Sequence, residues 1–169
     1  HVIATRRSVR EFSAKPLTPE QIGQLCWAGQ GITDPAGGYR TAPSAGALFP
    51  IELYLVTAAG VDHYLPREHA LESHLSGDIR RDLQRASIDQ ETVGDAPLII
   101  VVTAVVERTA RKYRDRAERY CFIEAGHVAE HAADGEAGLA LADAGDYDVL
   151  VVDRMLPKRD GLSVIGALR

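Results

Sequence analysis

Cysteine, aromatic residues and long apolar runs are all scarce in this 169-residue sequence. It contains 2 cysteines and 1 tryptophan, and aromatic side chains make up 6% of it. Because Cys26 and Cys121 stand far apart in apolar surroundings, they exclude a CxxC motif and predict buried free thiols in a reducing cytoplasm. No run approaches the roughly 18 apolar residues that cross a bilayer, and a signal-peptide pattern is missing. We therefore expect a cytoplasmic protein without a membrane partner.

An excess of positive charge is missing as well. The formal net charge is -5, whereas proteins that bind nucleic acids neutralise phosphates with lysine and arginine. The basic run over residues 108–119 is interrupted by Asp115 and Glu118, which favours a solvated helix face. We therefore expect no nucleic-acid partner.

A metal-binding pattern is suggested only by His127 and His131, which are one helical turn apart. The glutamate between them is misplaced for the HExxH zinc motif, and no third ligand is evident. We therefore expect no metal.

What the sequence does contain is a readable order of helices and strands. Thr18, Pro19 and Gln21 form a capping-box pattern that marks a helix start. Residues 52–58 and 97–106 predict two strands, and the second is apolar enough to be central and covered on both faces. Residues in the range 108–133 have the three- and four-residue spacing of a helix.

The pattern changes after residue 133. Residues 137–144 predict a short helix, residues 149–152 a strand with Asp153 at its carboxyl end, and residues 161–168 another helix. A helix, a parallel strand and a helix form a different architecture from the strands before them. A second structural piece is therefore expected in this part of the chain.

One stretch, residues 39–50, reads YRTAPSAGALFP and places very small residues between two prolines. Such a segment suits neither a helix nor a strand, and we refer to its residues 43–49 as the bend. Near the amino end, the segment TRRSVREF carries three arginines and a serine, which we call the arginine fork. Guanidinium groups suit phosphate oxygens in pairs, although a charged terminal arm is the alternative. We expect the fork and the bend to hold one phosphorylated planar ligand.

The two segments together resemble the nitroreductase family of FMN-dependent oxidoreductases. The RRSxRxF motif, PSAGALFPIELYLV, APLIIVVTA and RYCFIEAGHVA occur in the family's order and are similar to its SagB-type branch, the peptide azoline dehydrogenases. The resemblance covers about residues 1–129. It implies an α+β fold with a three-layer α/β/α sheet, and a homodimer.

The resemblance also implies a cofactor site and a reaction. FMN would transfer a hydride through its N5 from a nicotinamide nucleotide or a peptide azoline to an organic acceptor. No catalytic residue is assigned, and Tyr39, Arg40 and Glu124 are candidates near the ring. The residues implied for FMN are Arg6, Arg7, Ser8 and Arg10 at the phosphate, and Pro43, Ser44, Ala45 and Gly46 at the ring.

The tail has a resemblance of its own. Residues 130–169 are similar to the middle of a flavodoxin-like response-regulator receiver domain, in which Asp153 would be the phosphoacceptor. The acidic pair that holds Mg²⁺ and the later lysine and hydroxyl residues of a receiver have no counterpart here. We expect a C-terminally incomplete FMN-binding domain at 1–129 joined to a partial receiver at 130–169, as in a chimera. The alternatives are a phosphorelay module and a non-functional fragment.

Overall fold

The first helix begins where the capping-box pattern predicts. The computed structural model describes residues 10–13, 15–134 and 150–153, and in it helix α1 spans Pro19–Gln30. The N–H of Gln21 donates to Oγ1 of Thr18 at 3.3 Å, and the N–H of Thr18 donates to Oε1 of Gln21 at 2.8 Å. The predicted capping box is thus confirmed, because both orphan donors of the first turn find a side-chain acceptor.

Seven strands form two sheets in the described part of the chain. The short strands β1 (Ile32–Asp34) and β2 (Tyr39–Arg40) pair with each other. The main sheet has the order β5-β4-β3-β6-β7. Its strands are β3 (Ile51–Val56), β4 (Gly60–Leu65), β5 (Ala70–Ser76), β6 (Ile99–Ala104) and β7 (Leu150–Asp153).

The strands predicted at 52–58 and 97–106 lie side by side in this sheet. Strand β3 pairs antiparallel with β6 on one side and with β4 on the other. Strand β6 pairs parallel with β7, so its predicted central position is confirmed. The strand expected at 149–152 is present as β7, whereas the helices expected at 137–144 and 161–168 lie outside the described residues.

The hairpin of β4 and β5 has no counterpart among the predicted elements. Its strands pair antiparallel, and the hydroxyl of Tyr64 lies 2.8 Å from Nδ1 of His69 across the turn. All residues of β5 are exposed, and the polar run of Glu72, Ser73 and His74 interrupts the regular alternation by which strands are recognised.

The helix predicted over 108–133 is in fact two helices. Helix α4 spans Val106–Tyr113, a 3₁₀ turn follows at Arg114–Arg116, and helix α5 spans Ala117–Asp134. Arg114 has a φ of 50°, which is incompatible with a continuous right-handed helix. The break therefore separates α5 from α4.

Helices cover both faces of the main sheet, which confirms the predicted three-layer α+β arrangement. Helices α1 and α5 pack on the first face, and α2 (Arg80–Ala86) and α3 (Glu91–Asp95) pack beside the second. The first-face cluster consists of Leu25, Cys26, Ala42, Ile51, Leu53, Leu55, Tyr64, Leu98, Ile100, Val102, Ala125 and Val128. The second-face cluster consists of Val56, Val61, Val93, Ala96 and Ile99.

Both cysteines are buried and free, as predicted. Burial raises the pKa of the Cys26 thiol to about 12, which leaves the thiol protonated and unreactive near neutral pH. Among the helices that the structure describes, none combines the length and the apolar character that a membrane crossing requires.

Candidate functional site

The bend is a surface segment whose backbone is held by hydrogen bonds. The N–H of Phe49 donates to Oγ of Ser44 at 2.8 Å, and the N–H of Ala47 donates to the carbonyl of Ser44 at 3.1 Å. Pro43, Gly46 and Ala47 are exposed. The small residues therefore present an accessible, nearly bare stretch of main chain, as the sequence suggests.

A buried carboxylate on α5 also holds the bend. The N–H of Ala45 donates to Oε1 of Glu124 at 2.8 Å, and Glu124 is 4% exposed. Of the three residues considered near the ring, Glu124 is the one with a direct hydrogen bond to the bend.

The end of α4 brings two polar side chains to Gly46. A Cβ atom added to Gly46 would lie 2.8 Å from Nζ of Lys112 and 3.0 Å from the hydroxyl of Tyr113. The Tyr113 ring packs against Tyr120 with a centroid distance of 4.6 Å. Neither Lys112 nor Tyr113 was among the predicted site residues, because nothing in the local sequence links α4 to the bend.

Ionic contacts attach the start of α4 to the carboxyl end of the bend. Nη1 of Arg108 donates to the carbonyl of Phe49 at 3.0 Å and also forms an ion pair with Glu52. The other carboxylate oxygen of Glu52 lies 2.8 Å from Nε2 of His63. These contacts fix the position of α4, and therefore of Lys112 and Tyr113, relative to the bend.

Arg40 and Tyr39 have local structural contacts. The Arg40 guanidinium lies 5.0 Å from the centre of the Phe49 ring and donates to Oε1 of Gln30 at 2.6 Å. Burial lowers the pKa of Arg40, although the nearby Glu52 carboxylate acts in the opposite direction. Tyr39 lies at the β1–β2 turn, where its ring would contact a Cβ added to Gly37.

The described residues of the arginine fork lie away from the bend. Arg10 is exposed, and Phe12 packs against the second-face cluster. The bend follows Ala42 of the first-face cluster and contacts α5. In one chain, Phe12 and the amino end of the bend thus contact elements on opposite faces of the sheet. Arg6, Arg7 and Ser8 lie outside the described residues, so their assignment stays a prediction.

A separate groove of about 980 Å³ lies between α1 and the β4–β5 hairpin. Its lining includes Ile22, Trp27, Tyr64, His69 and Leu71. Burial raises the pKa of the Tyr64 hydroxyl to about 12, so this hydroxyl stays protonated near neutral pH. The groove contains none of the residues that meet at the bend.

Comparisons with known proteins identify relatives for most of the chain. The sequence profile described as the nitroreductase family matches residues 3–133. A protein of Methanocaldococcus jannaschii named as a nitroreductase is 37% identical over 136 residues, which are 77% of this chain and 68% of that protein. A nitroreductase structure from Ralstonia eutropha superposes with a TM-score of 0.67 at 34% identity, covering 78% of this chain and 60% of that one.

Two partial matches concern narrower resemblances. The microcin B17-processing protein McbC of Escherichia coli is 31% identical over 110 residues, which are 59% of this chain and 40% of that protein. The transcriptional regulatory protein TcrA of Mycobacterium tuberculosis is 48% identical over 46 residues, which are 27% of this chain and 18% of that protein. The chain therefore spans less than two thirds of the Ralstonia, microcin and regulatory proteins.

Proposed function

Because the chain belongs to the nitroreductase family, we propose that it is an FMN-dependent oxidoreductase that transfers a hydride between two organic molecules. The observation that carries this proposal is the convergence of Lys112 and Tyr113 on the exposed backbone of Gly46. A flat ring needs a surface without large side chains, and redox catalysis needs groups that can move a proton beside it. The bend and the end of α4 provide both.

The residues at the bend fit the ring of a flavin. Pro43, Gly46 and Ala47 expose small side chains or none, and Ser44 and Ala45 lie between them. Lys112 adds a positive charge, which favours a ring that gains negative charge on reduction. The phosphate would be held by Arg6, Arg7, Ser8 and Arg10, as the family resemblance implies.

The chain's own residues have distinct tasks in this reaction. FMN, when bound, supplies hydride transfer at its N5. The Tyr113 hydroxyl donates a proton to an organic acceptor, or takes one back in the reverse direction. The Lys112 ammonium stabilises the negative charge that develops on the reacting oxygen or nitrogen. The bend excludes water from one side of the ring.

We propose a peptide azoline as the hydride donor, with a nicotinamide nucleotide as the alternative donor. The match to the microcin-processing protein supports a peptide substrate, because that protein is named for its action on a peptide. Oxidation of an azoline removes one hydride and one proton from the ring. The hydride would pass to the flavin, and the proton would be relayed by the Tyr113 hydroxyl to solvent water.

A homodimer would bring the fork and the bend together in one site. In one chain, Phe12 at the end of the fork packs on the second face, whereas the bend contacts α5 on the first. We propose that the fork of one protomer completes the site at the bend of its partner. We also propose that the protein acts in the cytoplasm, where its free thiols stay reduced. A sedimentation mass of two chains in the presence of FMN is expected, and a monomer that binds FMN would contradict this arrangement.

We further propose that the tail derives from a receiver domain. The short match to TcrA supports this origin, and Asp153 lies at the carboxyl end of β7. The competing function is a phosphorelay module with Asp153 as its phosphoacceptor. Incubation with a small phosphodonor and Mg²⁺ tests it, since a phosphoryl group on Asp153 would add mass that the Asp153→Asn variant lacks.

The main test is titration of the purified chain with FMN. We expect the flavin fluorescence to be quenched and the visible bands of bound flavin to appear. Replacing Tyr113 by Phe should leave bound flavin in place and slow turnover by about 10²-fold or more, as loss of a proton-transfer group does. Replacing Lys112 by Met should also slow turnover, because it removes the charge that stabilises the reacting atom. The exposed Lys15→Met serves as the matched control. A purified chain that has no visible flavin bands and does not quench the fluorescence of added FMN would overturn the proposal.

A further inference from the structure

We propose that Glu124 is a positioning residue of the flavin site, which holds the bend in place through the N–H of Ala45. The proposal rests on the proposed function, because it assigns a role in a site that FMN would occupy. It differs from a catalytic role, since Glu124 acts through the backbone of the bend.

The surroundings of Glu124 call for an explanation. Its neighbours on α5, Ala125 and Val128, belong to the first-face cluster, and Glu124 is itself 4% exposed. A carboxylate loses its hydration at such a position and must recover it from hydrogen bonds. The N–H of Ala45 supplies one at 2.8 Å. An apolar residue would serve packing alone, so the carboxylate is explained by its contact with the bend.

The bend needs support from outside itself. Gly46, Ala47 and Phe49 all have positive φ values, of 68°, 54° and 45°. For alanine and phenylalanine this conformation is unfavourable. The hydrogen bonds that the N–H groups of Ala47 and Phe49 donate to Ser44 lie within the bend. The hydrogen bond that the N–H of Ala45 donates to Glu124 attaches the bend to α5.

The attachment also orients the reacting groups. Arg108 attaches α4 to the carboxyl end of the bend, and Glu124 attaches α5 to its amino end. Gly46 lies between these two anchors and faces Lys112 and Tyr113. Releasing the Glu124 anchor would therefore let the bend move relative to both side chains.

The experiment compares Glu124→Leu and Glu124→Gln with the same changes at Glu118, an exposed residue of α5. Two quantities are measured: amide hydrogen exchange at Ala45 in the cofactor-free protein, and the FMN dissociation constant from fluorescence quenching. In Glu124→Leu both should rise about tenfold or more, the effect of losing a hydrogen bond to a charged acceptor. In Glu124→Gln, the exchange rate at Ala45 and the FMN dissociation constant should stay close to their wild-type values, because the amide oxygen accepts a hydrogen bond from the same N–H. The Glu118 variants should change neither.

The outcomes separate this proposal from the proposed function. Unchanged exchange at Ala45 in Glu124→Leu, or unchanged FMN affinity despite faster exchange, would overturn the positioning role while the wild type still binds FMN. A Glu124→Gln variant as impaired as Glu124→Leu would also overturn it, since an acceptor oxygen would then not suffice. A wild type that binds no FMN would overturn the proposed function itself.

Discussion

The first face of the main sheet packs against the long helices α1 and α5, whereas the second face packs beside the short helices α2 and α3. The first-face cluster is a single packed group that includes Leu25 of α1 and Val128 of α5. Glu124 attaches the bend to the edge of this cluster. The second face combines a smaller cluster with the polar contacts of Glu52 and His63. The difference teaches that the amino end of the bend is attached to the more extensively packed layer, which favours precise positioning. Its carboxyl end is linked through Arg108 to Glu52 of the second face.

The largest expected effect comes from removing a side chain at the centre of the first face. Leu53 is 2% exposed, and its Cδ1 would lie 3.1 Å from a Cβ added to Gly29 on α1. Leu53→Ala should lower the free energy of unfolding by about 2–5 kcal/mol, because the closely approaching helix cannot fill the cavity. Urea denaturation measures the loss.

Val61 of the second face provides the comparison for Leu53. It is 6% exposed, and Val61→Ala removes two carbon atoms whose burial contributes about 1.6 kcal/mol. A loss at Val61 equal to or larger than the loss at Leu53 would contradict the view that the first face dominates stability.

The next effect concerns FMN affinity and compares two glycines with nearly the same φ. Gly46 has a φ of 68° and faces Lys112 and Tyr113, whereas Gly38 has a φ of 69° and no neighbour within 4 Å of an added Cβ. Leucine at either position costs about 1–2 kcal/mol of stability through its φ. Only Gly46→Leu should also displace Lys112 and Tyr113, block the ring and weaken FMN binding by about tenfold or more.

Fluorescence titration with FMN distinguishes the two glycine variants. Equal affinities for Gly46→Leu and Gly38→Leu would show that the ring does not lie on the bend. The assignment of Pro43, Ser44, Ala45 and Gly46 would then be wrong.

The smallest expected effect is a pH-dependent change in the stability of the fold at the edge of the second face. Arg80, the first residue of α2, donates to both carboxylate oxygens of Asp78, at 2.9 and 2.7 Å. These hydrogen bonds lower the pKa of Asp78 from 3.8 to about 2. A carboxylate with a lowered folded-state pKa stabilises the fold above pH 4 and loses this contribution as the pH falls towards 2.

Asp78→Asn measures this contribution. At neutral pH the variant should be less stable by about 0.2–1 kcal/mol, since the pair is partly exposed. Thermal unfolding should show the difference between variant and wild type disappearing as the pH falls below 2. A difference that persists unchanged at that pH would mean that the ion pair does not cause it.

Much of the fold could be predicted because its signals are local. The capping box of α1 needs only Thr18 and Gln21, three residues apart. The alternation within β3 and the apolar run of β6 identify two strands, which the structure pairs with each other. The hairpin of β4 and β5 was missed because β5 is exposed along its length. The break at Arg114 was missed because neither glycine nor proline marks it.

The candidate site could be predicted only in part, for a similar reason. The bend is visible as small residues between two prolines, and Gly46 has the left-handed conformation that glycine adopts most easily. The approach of Lys112 and Tyr113 to Gly46 depends on how α4 is tied to Glu52 and Phe49. Such contacts have no signature at either position in the sequence.

The sequence by itself determined the start of α1, the strands β3 and β6, and the bare backbone of the bend, because each depends on residues close together in the chain. Only the tertiary structure decided that Glu124 holds Ala45 and that Lys112 and Tyr113 face Gly46. Those contacts join residues far apart in the chain, and they arise from the packing of α4 and α5 against the sheet.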